Sequence, residues 1–290
     1  MTDIVTPQRT KAILQKYHLQ LKKSLGQNFL TNKDILINIV TAAEVSQDDD
    51  VIEIGPGIGA LTEQLAKRAH QVLAFEIDQR LIPVLKETLQ PYSNVVIINQ
   101  DILSADLATT LHDHFDGKHR LKVVANLPYY ITTPIMMHLL QVQLPFTCMV
   151  MMMQKEVAQR LTADPGTKAY GSLSVSVQTL TNAKIVFNVP RTVFFPQPNV
   201  DSAIVRLVPR QTPLVVLNEQ KQFSKFVKGC FAKRRKSLWN NLLNMYGKQP
   251  TTKEQLQQIL ADNELTPQIR AERLTVDQFV KLYHTLQNLR

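Results

Sequence analysis

Cysteine is nearly absent from these 290 residues, with only Cys148 and Cys230 present. Two thiols make no disulfide framework and give no zinc-ligand spacing. They fit reduced side chains in a cytoplasmic protein, and no metal is expected. Long apolar runs are also missing. The most apolar stretch, Phe146 to Met153, falls far short of the roughly 20 residues a spanning helix needs. The N-terminus has no apolar core of the signal-peptide kind, so neither membrane nor export is expected. No segment repeats and no low-complexity tract occurs.

What is present is an ordinary 44% hydrophobic content and a net charge of +9, unevenly spread. Residues 1–30 hold five Lys/Arg against one acid, residues 31–209 fourteen against seventeen, and residues 210–290 fourteen against six. A slightly acidic middle between basic ends suits a chain that grips a polyanion at its ends and does something else between them.

Residues 51–150 alternate short apolar runs with amphipathic stretches. The runs are 51–55, 71–78, 95–101, 121–128 and 147–154, with helix-like segments such as 61–69 and 80–89 between them. Strands apolar on both faces and separated by helices predict an α/β fold, a parallel sheet with helices on both faces. Crossovers should be right-handed. Two later β-like runs, 183–190 and 202–209, flank a Pro-rich loop and predict a hairpin closing the sheet. Beyond Pro209 the pattern becomes helical with polar breaks, over 219–246, 252–261 and 275–288. The expected domains are therefore 1–210, including a basic N-terminal arm and lid over 1–35, and a small all-α domain over 211–290.

In such sheets ligands bind beyond the carboxyl ends of the strands. The first predicted strand ends in Gly55, Gly57 and Gly59, where a tight turn and close backbone approach by a ligand are possible. The spacing is not that of dinucleotide enzymes. The second ends in Glu76-Ile77-Asp78, whose first carboxylate is placed to accept hydrogen bonds from ribose hydroxyls. The third ends in Asp101-Ile102, an acid and an apolar neighbour suited to the edge and face of an adenine ring. The fourth ends in Asn126-Leu127-Pro128-Tyr129.

That last tetrapeptide separates amine methylation from hydride transfer. An aromatic exocyclic amine is a poor nucleophile because its lone pair is delocalised into the ring. Two acceptors for its N–H groups favour a pyramidal nitrogen. Asn126 offers a side-chain carbonyl, and Pro128 favours an extended preceding residue that presents the Leu127 carbonyl. Tyr129 can stack on the base. Asn cannot take a proton, so positioning rather than base catalysis would supply the rate.

KKSLGQNFL (22–30), VIEIGPGIGALT (51–62), FEID (75–78), NQDIL (99–103), NLPYYIT (126–132), QKEVAQRL (154–161) and FFPQPNVDSAIVRL (194–207) together resemble the ribosomal RNA adenine dimethyltransferases. Within that family they are similar to the bacterial small-subunit, or kasugamycin-resistance, branch. The resemblance covers nearly the whole chain, including FAKRRKSLWNNL (231–242). It implies a Rossmann-like methyltransferase sheet and S-adenosyl-L-methionine as donor, with S-adenosylhomocysteine as product. It also implies double methylation at N6 of two adjacent adenosines, in a hairpin loop near the 3′ end of 16S rRNA, late in small-subunit assembly. Cofactor contacts are implied at Asn28, Leu30, Gly55, Glu76, Asp101 and Asn126, to which the strand-end reading adds Gly57, Ile77 and Ile102. Stacking aromatics are implied at Tyr129 and Phe194, and Asn28-Phe29-Leu30 is a candidate lid.

RNA contacts are expected at Lys22, Lys23 and the helix-like run Lys233-Arg234-Arg235-Lys236, since phosphates are gripped by Lys and Arg. The expected partner is 16S rRNA within the immature small subunit, bound by a cytoplasmic monomer. Two rival readings are a large-subunit rRNA adenine methyltransferase of the macrolide-resistance type and a mainly non-catalytic small-subunit assembly factor. The KKSLGQNFL form and the basic C-terminal segment favour the small-subunit enzyme.

Overall fold

A computed structural model describes residues 4–19, 28–142 and 144–287. The chain divides into two compact units, Met1–Ala158 with Lys184–Val208, and Gln159–Ala183 with Pro209–Arg290. The elements up to the end of the sheet are, in chain order, α1 (Pro7–Lys16), β1 (Phe29–Leu30), α2 (Lys33–Ala42), β2 (Asp49–Ile54), α3 (Ala60–Ala66), β3 (Gln71–Phe75), α4 (Ile82–Thr88), β4 (Val95–Ile98), α5 (Leu107–His114), β5 (Arg120–Asn126), α6 (Tyr129–Gln141), β6 (Phe146–Gln154), α7 (Lys155–Leu161), α8 (Ser172–Gln178), β7 (Thr181–Val189), β8 (Phe194–Phe195) and β9 (Ser202–Pro209).

Seven strands form one sheet in the order β4-β3-β2-β5-β6-β9-β7. The first five are parallel and β9 runs antiparallel to β6. The chain starts in the middle with β2, walks outward through β3 and β4, then crosses to β5 on the other side. That reversal opens a crevice at the carboxyl ends of β2 and β5. Register then levels the strand ends, because Ile54 lies opposite both Phe75 and Ala125. The next residues along, Gly55, Glu76 and Asn126, therefore arrive at one height.

The strands read as apolar on both faces because both faces are covered. Val51, Val72, Val124 and Val150 pack with Leu36 and Ile39 of α2, Leu61 and Leu65 of α3 and Leu85 of α4. On the opposite face Ile52, Leu73, Val123, Met149 and Met151 are equally inaccessible. The expected α/β sheet is present, and β9 matches its expected range of 202–209. The runs 71–78 and 95–101 are shortened to 71–75 and 95–98, since their polar tails leave the ladder as loops. The expected N-terminal arm is a packed element over residues 4–16. Thr6 caps α1, Ile13 and Leu14 are buried, and the Ile4 N–H donates to Glu63 Oε2 at 3.1 Å.

In the second unit the elements after β9 are α9 (Gln220–Cys230), α10 (Leu238–Tyr246), α11 (Pro250–Asp262) and α12 (Val276–Gln287). Its core joins Tyr170 and Val175 to Phe223, Leu242, Leu260 and Phe279. The expected boundary near 210 missed the contribution of 159–183, because the apolar side chains of that stretch find their partners only in the later helices. The helix expected over 219–246 is broken at 231–237. The Asn241 side chain holds the break by donating to the Cys230 carbonyl at 2.8 Å and accepting from the Lys233 N–H at 3.2 Å. Ser237 then caps α10. No described helix is long and apolar enough to cross a membrane.

One carboxyl inside the first unit is energetically costly. Glu53 on β2 is 0% exposed, and neither oxygen has a hydrogen-bond partner among the described residues. Burial pushes its pKa up to about 8, with the Glu76 charge adding to the shift and the Thr62 hydroxyl opposing it. The folded state thus holds this proton more tightly than the unfolded chain. The stability this gives is complete below the ordinary carboxylate pKa and is lost as pH rises through about 8. Glu53→Gln removes that dependence. Between about pH 6 and pH 9 the wild type should lose about 3 °C or more of melting temperature relative to E53Q. Parallel calorimetric melts that coincide across this range would contradict the assignment.

Candidate active site at the strand ends

The levelled strand ends enclose roughly 1290 Å³ of empty space, including its open mouth. Its lining contains every residue expected at the cofactor and base sites: Asn28, Leu30, Gly55, Gly57, Glu76, Ile77, Asp101, Ile102, Asn126, Leu127, Pro128, Tyr129 and Phe194. All belong to the first unit. Lys22 and Lys23 lie outside the described residues.

The glycine turn is fixed from two sides. Gly57 has φ +62°, a region where a side chain is strained, and a Cβ there would lie 3.1 Å from the Phe29 ring. Its N–H donates to Glu76 Oε2 at 3.1 Å, while Glu76 Oε1 accepts from the Asp78 N–H at 2.9 Å. The Asn99 side chain donates to the Glu76 carbonyl at 2.7 Å, anchoring the end of β3 to the segment after β4. Burial raises the Glu76 pKa, and the hydrogen bonds from Asp78 and Gly57 oppose that rise. A carboxylate has about four lone-pair directions, so acceptor capacity remains for a ligand. Ile77 is exposed and Ile102 buried, and both line the cleft. This set fits a nucleoside with a charged amino-acid tail: an acid for ribose hydroxyls, apolar faces for an adenine ring, and a turn without side chains beside the tail.

Asn126 closes β5 and is half-buried. Asn126 lines the cleft, and its side-chain amide has no hydrogen-bond partner among the described residues. Pro128 at φ −55° stands at the start of α6 as its N-cap residue. Tyr129 follows with its hydroxyl 2.8 Å from Ser202 Oγ on β9. Burial raises the Tyr129 pKa, against the bond to Ser202. Ser202 was not singled out by sequence, although it lies in the quoted FFPQPNVDSAIVRL stretch. Only the sheet order brings β9 beside the end of β6.

Phe194 and the candidate lid form one unit. The strand pair β1–β8 aligns Phe29 with Phe195 and Leu30 with Phe194, and Thr31 donates through its N–H and hydroxyl to the Val193 carbonyl at 2.9 and 3.0 Å. Phe194 is buried and lines the cleft; Phe195 does not, and carries Lys11 Nζ 5.3 Å from its ring centroid. Of the cations in the second unit, Lys233, Arg234, Arg235 and Lys236 lie in the break between α9 and α10 rather than on a helix, and all are exposed. Arg234 is engaged with the Lys168 and Tyr170 carbonyls at 2.9 and 3.0 Å. Away from the cleft, Asp50, His70 and His119 near the amino ends of β2, β3 and β5 form a group able to chelate a metal, with His70 Nδ1 2.8 Å from Asp50 Oδ1.

The family model described as ribosomal RNA adenine dimethylase matches residues 18–288. The chain is 61% identical over 282 residues to Ribosomal RNA small subunit methyltransferase A of Latilactobacillus sakei subsp. sakei, covering 97% of this chain and 95% of that protein. It is 56% identical over 290 residues to the protein of the same name from Enterococcus faecalis, covering 99% and 98%. Among solved structures, a dimethyladenosine transferase from Plasmodium falciparum superposes with a TM-score of 0.76 at 29% identity, covering 89% of this chain and 97% of that one. The 23S rRNA methyltransferase ErmE gives 0.68 at 30% identity, covering 89% and 99%.

Gly57→Ala tests the cleft directly. The left-handed backbone costs a side chain about 1–2 kcal/mol, and the Phe29 ring must shift as well. S-adenosylhomocysteine affinity measured by calorimetry should fall about tenfold. An unchanged affinity would mean that this turn does not face the ligand.

Proposed function

The chain belongs to the ribosomal RNA adenine dimethylase family, and from that premise we propose that it is the S-adenosylmethionine-dependent enzyme that doubly methylates N6 of two adjacent adenosines in a hairpin loop near the 3′ end of 16S rRNA. It acts on the immature small subunit, as a cytoplasmic monomer. The observation that carries this reading is Asn126, an uncommitted amide at a strand end, with Tyr129 held on one side and Glu76 level with it on the other.

The division of labour follows from the residues. Asn28, Leu30, Gly55, Gly57, Glu76, Ile77, Asp101 and Ile102 hold the cofactor. Glu76 accepts from ribose hydroxyls, and Ile77 and Ile102 cover the adenine. When bound, S-adenosylmethionine supplies a sulfonium methyl group that is already electrophilic. The target adenine is turned out of its stack and held between Tyr129 and Phe194. Asn126 Oδ1 and the Leu127 carbonyl accept the two amine N–H bonds, which directs the nitrogen lone pair out of the ring plane. No residue here takes up the amine proton, which leaves to water. Lys233, Arg235 and Lys236 contact RNA phosphates, as do Lys22 and Lys23, whereas Arg234 chiefly holds its own loop. Folded RNA is recognised by shape and backbone, so base choice rests on the cleft.

Mass spectrometry of rRNA after incubation with enzyme, labelled donor and immature small subunits tests the function. Dimethyladenosine should appear in 16S rRNA, and label confined to large-subunit rRNA would sink the reading. Asn126→Ala should lower methyl transfer about 100-fold or more, the usual cost of lost positioning, while binding to the subunit is kept. Turnover near wild type would refute the role of Asn126. The raised Glu76 pKa also has a consequence. Protonation removes acceptor capacity, so cofactor affinity should decline as pH falls, beginning above the ordinary carboxylate range of about 4.3. Calorimetry from about pH 8 to pH 5 reads this, and Glu76→Gln should show no such slope.

A further inference from the structure

The first turn of α6 carries two tyrosines in succession with opposite surroundings. Tyr129 is half-buried and tied to Ser202. Tyr130 borders the same cleft yet is 59% exposed, more than any other large hydrophobic side chain described. No hydrogen bond, ion pair or ring contact engages Tyr130 among the described residues. Helix geometry explains the contrast, because successive side chains diverge by about 100°. If Tyr129 faces inward, Tyr130 faces out beside the opening. Scattered exposed apolar residues need no explanation, but an unengaged aromatic at the rim of an active cleft has a specific chemistry, since an aromatic ring is a stacking platform for any unpaired base.

We propose that Tyr130 forms a second base subsite, stacking on the purine adjacent to the one held at Asn126. This rests on the proposed function, in which the two modified adenosines are neighbours. Turning one of them into the cleft strips the other of a stacking partner. The ring at the rim replaces that partner and fixes the RNA loop beside the opening. When the second adenosine enters, the first takes its place on Tyr130. Stacking uses the π-face rather than the base edge, so the subsite favours purines by surface area and does not need the tyrosine hydroxyl. Tyr130 is therefore a substrate-positioning residue of the full enzyme, distinct from Asn126 and Tyr129.

The test uses the whole protein and small subunits from cells lacking this methylation. Tyr130→Ala should raise KM for subunits about tenfold, within the range of base–aromatic stacking by alanine substitution, with kcat and S-adenosylhomocysteine affinity little changed. Tyr130→Phe should restore wild-type KM. Subunits whose neighbouring adenosine is replaced by uridine should be poorer substrates for wild type but no worse than normal subunits for Y130A. A wild-type KM for Y130A, or Y130F as impaired as Y130A, overturns the subsite. So does a uridine penalty of equal size in both proteins. Wild-type enzyme that leaves 16S rRNA unmethylated overturns the functional reading itself, and the subsite with it.

Discussion

One carboxylate ties together the ends of two strands. Glu76 accepts from the Gly57 N–H with one oxygen and from the Asp78 N–H with the other. The first bond pins the glycine turn after β2 to the end of β3, and the second holds β3's own exit. Without such acceptors the N–H groups of these turns would be left unpaired beside an apolar cleft, at a cost comparable to a lost hydrogen bond. The floor on which the rest of the site depends is thus preorganised, with Asn126 level across β2.

The same site shows how two glutamates of one sheet acquire different characters. Both feel a raised pKa from burial. Glu76 is compensated by backbone donors and sits at the rim of a cleft. Glu53 lies deeper, with its pKa pushed up to about 8 and no hydrogen-bond partner among the described residues. Its proton spares the site a second buried negative charge next to Glu76. Placing an ionisable group there costs stability.

Elsewhere around the cleft, rigidity comes from unions that are distant in sequence. The β1–β8 pair joins the residues before α2 to the Pro-rich loop, so Leu30 and Phe194 reach the cleft together. Ser202 from β9 bonds the hydroxyl of Tyr129. An aromatic ring held at its far end has less freedom to lose, and the first turn of α6 is tied to the sheet there.

The amino-acid sequence alone determined the parallel α/β sheet, because runs apolar on both faces can only be buried on both faces. It also marked the strand ends that meet in one cleft. Glycine, glutamate, aspartate and asparagine at successive strand ends are local features, and the cleft contains each of them. The tertiary structure decided what depends on distant partners. That 159–183 packs with the C-terminal helices follows from where Tyr170 and Val175 find apolar neighbours. That the helix over 219–246 is broken follows from Asn241 bonding back across the turn. Arg234 is separated from its cationic neighbours by carbonyls 64 and 66 residues away. Ser202 and Tyr130 likewise gain their meaning only in three dimensions, one because strand order brings it to Tyr129, the other because helix rotation leaves its ring at the opening. Periodicity records which face is buried; which group lies across from it is fixed by packing between segments far apart in the chain.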